Sequence, residues 1–218
     1  MKAWNPPTVA DVTRLILDSN TRLVKTSEDL IDVVIESLER LQSRITETAN
    51  PLVYDFWFIG RTGNTDRNFG PHSEEHVARR VAAWLQDDLQ SRHPVVINRE
   101  VVPRWRQRTD ITIEAPRRSG NETLVPKVII EIKGNWHAEV RIACGNQLVS
   151  DYLRNQLDAV GIYLVVWFGA GHLPGEGNPR SNRLQSQDVS SATAEVTELV
   201  ANQRNGFTVQ GLVLDCTL

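Results

Sequence analysis

The sequence predicts an α/β protein in which a mixed central sheet is flanked by helices and preceded by a helical N-terminal extension. Residues 108–115 and 127–136 hold two apolar, β-branched runs on either side of a polar loop, which predicts a strand–loop–strand hairpin. A helix predicted at 138–154 leads to the continuously apolar run 161–168, which is typical of a strand buried on both faces. The order strand, helix, strand indicates parallel strands joined by a right-handed crossover. The sheet should therefore contain both antiparallel and parallel pairs.

The composition is that of an ordinary soluble globular protein. Of the 218 residues, 40% are hydrophobic and 23% are charged. The net charge of −3 gives no overall attraction to nucleic acid, so such binding would need a local basic patch. Cys144 and Cys216 are too few for a disulfide scaffold and lack metal-ligand spacing, which favours the reducing cytoplasm. We find neither a signal peptide nor an apolar run of membrane length, and we expect no membrane partner.

The expected parts of the chain are a helical extension at 1–50, a connector at 51–70 and the main domain at 71–218. Helical periodicity predicts helices at 8–17 and 27–47, with Ser27 as the N-cap of the second. Two such helices cannot bury a core alone. They either pack on the main domain, form a homodimer or larger assembly, or continue a larger helical region.

The connector and the later elements are assigned from turn residues and apolar periodicity. Residues 52–59 are aromatic and predict a strand or a buried extended arm, whereas 60–71 are polar and glycine-rich and predict a mobile loop. The other expected elements are a helix from Ser73, a strand at 95–102, a long polar loop at 169–183, a helix at 190–202 and a closing strand at 207–214. His172 in the polar loop is either a proton shuttle or an ordinary surface histidine.

The predicted hairpin carries three candidate catalytic residues. Side chains alternate along a strand, so Glu131 and Lys133 share one face, and Asp110 joins it if the hairpin pairs in the simplest register. Burying two carboxylates is costly unless their charge is neutralised. Because one lysine cannot balance both, a hard divalent cation with oxygen ligands is the expected partner. Such a cation, held by Asp110, Glu131 and a main-chain carbonyl such as that of Ile132, would activate water beside Lys133.

A glutamate near the start of the helix from Ser73 is a further candidate. Glu74 falls under the middle of the apolar stripe of this helix, while Glu75 lies to its side. An inward glutamate is not needed for packing. Glu74 is therefore either a residue of the site or a first-turn acid favoured by the helix dipole.

A basic and aromatic cluster lies at the mouth of the expected site, just before the hairpin. It consists of Arg104, Trp105, Arg106 and Arg108. Arginine and aromatic groups together suit contact with phosphates and stacking on bases. The cluster is thus the predicted nucleic-acid contact.

The motif of Asp110, a spacer and then Glu131-Ile-Lys133 resembles that of the PD-(D/E)XK nuclease superfamily, which has the restriction-endonuclease-like fold. Thr109 stands where the superfamily's name has proline. The resemblance covers about 70–218. Its run Glu-Ile-Lys-Gly-Asn-Trp, followed by a helix and an apolar strand, is similar to the C-terminal nuclease domains of bacterial antiviral defence proteins.

The predicted helix at 138–154 adds a second likeness. Gln147 interrupts its inward-facing strip and resembles the glutamine of the Gln-x-x-x-Tyr helix of RecB-like nucleases. Tyr152 lies one residue farther from Gln147 than that pattern has it.

The resemblance implies a Mg²⁺-dependent endodeoxyribonuclease, with Mn²⁺ able to substitute, that cuts double-stranded DNA as the effector of an antiviral defence system. It implies Asp110, Glu131 and Glu74 as metal ligands, and Lys133 as the residue that positions water. Gln147 would orient Lys133 or contact a phosphate, and the basic cluster would grip the DNA backbone. A sensor domain or subunit is an expected partner. Two alternatives stay open: a catalytically silent domain of this fold that binds nucleic acid or protein, and a nuclease that cleaves RNA.

Overall fold

The structure is a computed structural model. The ranges it describes are 8–9, 24–47, 52–62, 66–99, 109–119, 122–156, 158–169, 180–184, 187–203 and 206–218. In chain order its main elements are α1 (Ser27–Ile45), β1 (Trp57–Thr62), β2 (Asp66–Pro71), α2 (Glu74–Gln90), β3 (Val96–Arg99), β4 (Ile111–Glu114), β5 (Arg117–Ser119), β6 (Glu122–Leu124), β7 (Lys127–Gly134), a π-helix (Cys144–Tyr152), β8 (Ala159–Trp167), α3 (Val189–Ala201) and β9 (Val209–Asp215). Short 3₁₀ helices lie at Leu52–Phe56, Leu153–Asn155 and Ser181–Arg183. Most of the helix predicted at 8–17 lies outside these ranges.

The central sheet has five strands in the order β3-β4-β7-β8-β9. The pairs β3–β4 and β4–β7 are antiparallel, whereas β7–β8 and β8–β9 are parallel. This confirms the predicted mixed sheet and the predicted parallel pairing on either side of the helical segment. Two smaller antiparallel ladders, β1–β2 and β5–β6, stand apart from it.

Helices cover both faces of this sheet, as the sequence predicts. Along β7, Ile130 and Ile132 belong to the core that contains α1 and α2, while Ile129 belongs to a second core with the π-helix and α3. On β8, Ile162 packs in the first core and Tyr163 in the second. This alternation is the ordinary geometry of a strand between two apolar layers. It puts Glu131 and Lys133 on the same side of β7 as Ile129.

Helix α1 is capped by Thr26 rather than by Ser27. The Thr26 hydroxyl accepts a hydrogen bond from the Asp29 amide, and the Asp29 carboxylate accepts one from the Thr26 amide, which makes a capping box. The Ser27 hydroxyl instead accepts a hydrogen bond from the Lys127 amide at 2.9 Å and donates to the Asp158 carbonyl. The predicted cap was therefore wrong by one residue, because the second hydroxyl joins the helix to the sheet.

Of the three arrangements left open for the second N-terminal helix, the structure shows packing on the main domain. The buried face of α1 lies in the same core as α2 and the sheet. Asp88 of α2 accepts hydrogen bonds from Ser37 at 2.7 Å and from Arg40 at 2.6 Å. Gln42 exchanges two hydrogen bonds with the backbone of Asp215. Assembly through the N-terminal region stays a prediction.

We expect Asp88→Asn to lower the free energy of unfolding by about 2 kcal/mol, since it weakens charged hydrogen bonds that are largely buried. Burial alone would raise the pKa of Asp88, but the hydrogen bonds from Arg40 and Ser37 lower it overall. The stabilisation should therefore be complete above the ordinary aspartate pKa and be lost as the pH falls through the lowered one. Denaturant unfolding at several pH values measures this. The exposed neighbour Asp87→Asn is the control, and equal stability of both variants would contradict the expectation.

The connector differs from the prediction. The aromatic segment begins as a 3₁₀ helix, and the loop predicted at 60–71 is largely the β1–β2 hairpin, in which Trp57 pairs with Pro71. Ladder hydrogen bonds need only backbone groups, so the glycines and polar residues that favoured a loop do not prevent pairing. Trp57 anchors the hairpin in the core, where its indole nitrogen donates to the Cys216 carbonyl at 2.8 Å.

Candidate active site

The pairing of β4 with β7 brings the three predicted catalytic residues together. Ile111 lies opposite Ile130, so the same register places Asp110 beside Glu131. The Asp110 carboxylate accepts a hydrogen bond from the Ile132 amide at 2.8 Å. The carboxylate thus continues the ladder just where β4 begins. The shared face predicted from strand alternation is confirmed.

Glu131 is a buried carboxylate with one unused oxygen. Its side chain is almost fully enclosed, and Oε1 accepts a hydrogen bond from Lys133 Nζ at 2.7 Å. The other oxygen, Oε2, is buried and accepts no hydrogen bond from any described residue. Burial, and then the negative charge of Asp110, raise the pKa of Glu131 to about 8, despite Lys133. Buried polar atoms nearly always have a partner, so this acceptor should be used by a group other than the described residues.

Lys133 is the cation of the site and is buried beside Glu131. Burial alone would lower the pKa of its ammonium, but the charges of Glu131 and Glu74 outweigh burial and raise it. Its Nζ lies 3.8 Å from Glu74 Oε2. The lysine therefore stays charged at neutral pH.

Glu74 reaches the site from the first turn of α2. Its Oε1 accepts a hydrogen bond from the Gly134 amide at 3.0 Å. Glu75 instead pairs at the surface with Arg79, with 3.3 Å between the charged atoms. The inward position that the helical wheel gave to Glu74 is therefore observed. In this structure Glu74 holds the end of β7 and contributes charge next to Lys133.

The donor set suits a hard divalent cation in part. Asp110 and Glu131 offer carboxylate oxygens, and the vacant Oε2 of Glu131 is the kind of atom that such a cation takes. Within the described ranges, however, no three Asp, Glu, His or Cys side chains are grouped closely enough to hold a metal ion. A cation here would bind to two carboxylates and complete its shell with main-chain oxygen or water. Glu74 as a third ligand stays a prediction.

The helical segment that carries Gln147 differs from the expectation in its start and its winding. It begins at Cys144 instead of 138 and is a π-helix, in which hydrogen bonds join residues five apart. A spacing of five here replaces the α-helical spacing of four, so Tyr152 stands to Gln147 as a residue four positions away would in an α-helix. The side-chain nitrogen of Gln147 donates to Glu139 Oε2 at 3.2 Å, whereas Lys133 Nζ donates to Glu131. Contact of Gln147 with a phosphate stays a prediction.

Two residues that follow Lys133 fix the end of β7, and the sequence analysis gave them no role. The Asn135 side chain donates to the Phe168 carbonyl at 3.0 Å and accepts from the Phe168 amide at 3.3 Å. Gly134 has no room for a side chain, because a Cβ there would overlap the indole of Trp136. The Gly-Asn-Trp run after Lys133 was the signal in the sequence that could have indicated these roles. The partner of Asn135, Phe168, could not be read from it, because that contact depends on the pairing of β7 with β8.

The predicted contact cluster of Arg104, Trp105, Arg106 and Arg108 lies outside the described residues, as does His172. Their roles stay predictions. Comparison of the chain with family models, with curated proteins and with solved structures gave no match. None of the helices in the described ranges has both the length and the apolar character needed to cross a lipid bilayer.

Proposed function

We propose that this chain is a metal-dependent nuclease of the PD-(D/E)XK type that hydrolyses phosphodiester bonds in double-stranded DNA. The observation that carries the proposal is the buried Glu131, with an unused oxygen, a raised pKa, Asp110 on one side and Lys133 on the other. A Glu–Lys pair that served the structure alone would be expected to use both carboxylate oxygens. A role in antiviral defence rests on the sequence resemblance alone.

The roles of the residues follow from their charges and positions. Asp110 and Glu131 would hold Mg²⁺, which supplies Lewis acidity and a water of lowered pKa when bound. Lys133 carries a fixed positive charge at the same face, where it positions water and offsets charge that develops on a phosphate. Glu74 keeps Lys133 in place through its charge and through the Gly134 amide. Together they form a preorganised polar site inside an apolar sheet.

The test is incubation of the purified chain with supercoiled plasmid, linear duplex, single-stranded DNA and RNA, each with Mg²⁺, with Mn²⁺ and with a chelator. We expect both duplex forms to be cut when either metal is present and no substrate to be cut with the chelator. Metal uptake is measured separately by titration calorimetry. A chain that binds neither Mg²⁺ nor Mn²⁺ and cuts nothing would be the silent domain of the same fold, and cleavage of RNA alone would replace the DNA substrate.

A further inference from the structure

A groove of about 570 Å³ begins where the catalytic strand ends. It is lined by Trp136, His137, Ala138, Glu139, Arg180 and Arg183. The first four residues follow Lys133 and Gly134 closely in the chain, so one wall continues directly from the candidate active site. Glu139 also receives the hydrogen bond of Gln147. The groove is therefore bordered by two elements that carry candidate site residues.

Two arginines form the opposite wall, and the backbone directs both to one side. Arg180 directly precedes the 3₁₀ turn Ser181–Arg183 and Arg183 ends it, and the Arg183 amide donates to the Arg180 carbonyl at 3.0 Å. A 3₁₀ helix has three residues per turn, so side chains three positions apart lie above one another. Leu184, directly after the turn, packs against the core. The two guanidinium groups are thus presented together from an anchored turn.

The charges of the groove favour an anion with several acceptor oxygens. Arg183 is exposed and makes no ion pair with any described residue, while Arg180 lies close enough to His72 to help lower its pKa. Among the described residues of the lining, Glu139 is the one opposing charge, and its carboxylate already accepts a hydrogen bond from Gln147. Arginine donates in a planar fork that matches phosphate oxygens.

Trp136, which forms the floor of the groove, is not placed to stack on a base. Trp136 is buried and packs edge-on against Phe168, with ring centroids 5.2 Å apart. Its indole face is therefore not available to a base. An apolar floor with a cationic rim suits the sugar–phosphate backbone instead.

From this geometry we propose that the groove binds the DNA backbone beside the scissile phosphate, with Arg180 and Arg183 each contacting a phosphate. The inference rests on the proposed function, because it extends the same substrate path. It assigns sequence-independent affinity to residues far along the chain from the cluster at 104–108. Base-specific contacts are not part of this groove.

The experiment measures binding of a fluorescently labelled DNA duplex by anisotropy, with a chelator present, over a range of salt concentrations. Each lost phosphate contact lowers the slope of log affinity against log salt by about 0.9, so Arg180→Ala/Arg183→Ala should lower it by about 1.8. It should weaken binding to duplexes of unrelated sequence equally. The control is Arg44→Ala/Arg154→Ala, which removes two arginines that do not line the groove and should change the slope much less.

The single variant Arg183→Ala is included because it is expected to fold normally: this exposed side chain has no ion-pair partner among the described residues. It should give about half the slope change. Parental affinity and slope in a folded groove variant would overturn the inference, even if the chain cleaves DNA. If the parent binds DNA in a salt-dependent way but does not cleave it, and the groove variant loses this binding, the groove is supported as a DNA-binding site. The same result would contradict the proposed nuclease activity. Displacement of DNA by polyglutamate as readily as by unlabelled duplex would also overturn the inference.

Discussion

Glu131→Gln is expected to slow DNA cleavage by at least about a hundredfold, the scale on which loss of one preorganised polar group acts. The amide keeps the size of the carboxylate but loses the charge that a divalent cation requires. Single-turnover cleavage of a linear duplex at saturating Mg²⁺ measures the change. Cleavage at the parental rate would contradict the assignment of the site.

The same substitution should stabilise the metal-free protein at high pH. Burial, and then Asp110, raise the pKa of Glu131 from 4.5 to about 8. Between these values the folded protein keeps a proton that the unfolded chain has lost, so this group makes stability fall as the pH rises. Glu131→Gln removes that loss, and its advantage over the parent should be small at low pH and complete above the raised pKa. Asp110 and Glu74 still balance Lys133 in the variant.

The chain contains a matched control for this experiment. Glu114 pairs with Lys127 across the same two strands, with 2.9 Å between the charged atoms, but both side chains are about one-quarter exposed. Glu114→Gln should leave cleavage unchanged and alter stability by less than about 1 kcal/mol, as expected for a partly exposed pair. Mg²⁺ should stabilise the parent and Glu114→Gln but not Glu131→Gln. If Glu131→Gln and the parent have the same stability at every pH, Glu131 carries no strained charge.

The central hairpin and its three charged residues could be predicted because strand alternation is a simple rule. Once β4 and β7 pair, Asp110, Glu131 and Lys133 must share a face. The helical period likewise separated Glu74 from Glu75, because the two residues lie about 100° apart around a helix. Both predictions depend on local geometry only.

Other features depend on contacts that a local pattern does not contain. Over nine residues, apolar spacing does not separate a π-helix from an α-helix, so the winding around Gln147 was missed. Thr26 and Ser27 are adjacent hydroxyls with equal capping chemistry, and the choice depends on where the Lys127 amide lies. The hydrogen bond from Asn135 to Phe168 depends on the pairing of β7 with β8.

Lys133 is expected to be the most sensitive position for cleavage, with different consequences for two substitutions. Lys133→Met removes the ammonium that faces Glu131 and Glu74, so these carboxyl groups lose their countercharge. We expect it to slow cleavage at least about a hundredfold and, unlike Glu131→Gln, to destabilise the metal-free protein at pH values high enough to ionise Glu131. Lys133→Arg keeps the charge, but its wide planar fork does not reach the position of a compact ammonium in this enclosed space. It should therefore also cleave at least about a hundredfold more slowly while retaining Mg²⁺.

Single-turnover cleavage and calorimetric titration with Mg²⁺ on the same preparations separate a catalytic lysine from a cross-strand partner. Lys127→Arg and Lys127→Met are the controls, because Lys127 lies on the same strand and pairs with Glu114 at a similar distance. Both controls should cleave as the parent does. If Lys133 serves only to neutralise Glu131, arginine restores that charge, and Lys133→Arg then matches Lys127→Arg in rate. Such a match would end the catalytic role of Lys133, whereas slow cleavage with unchanged Mg²⁺ uptake would place its effect on the reaction itself, because the metal would still be bound.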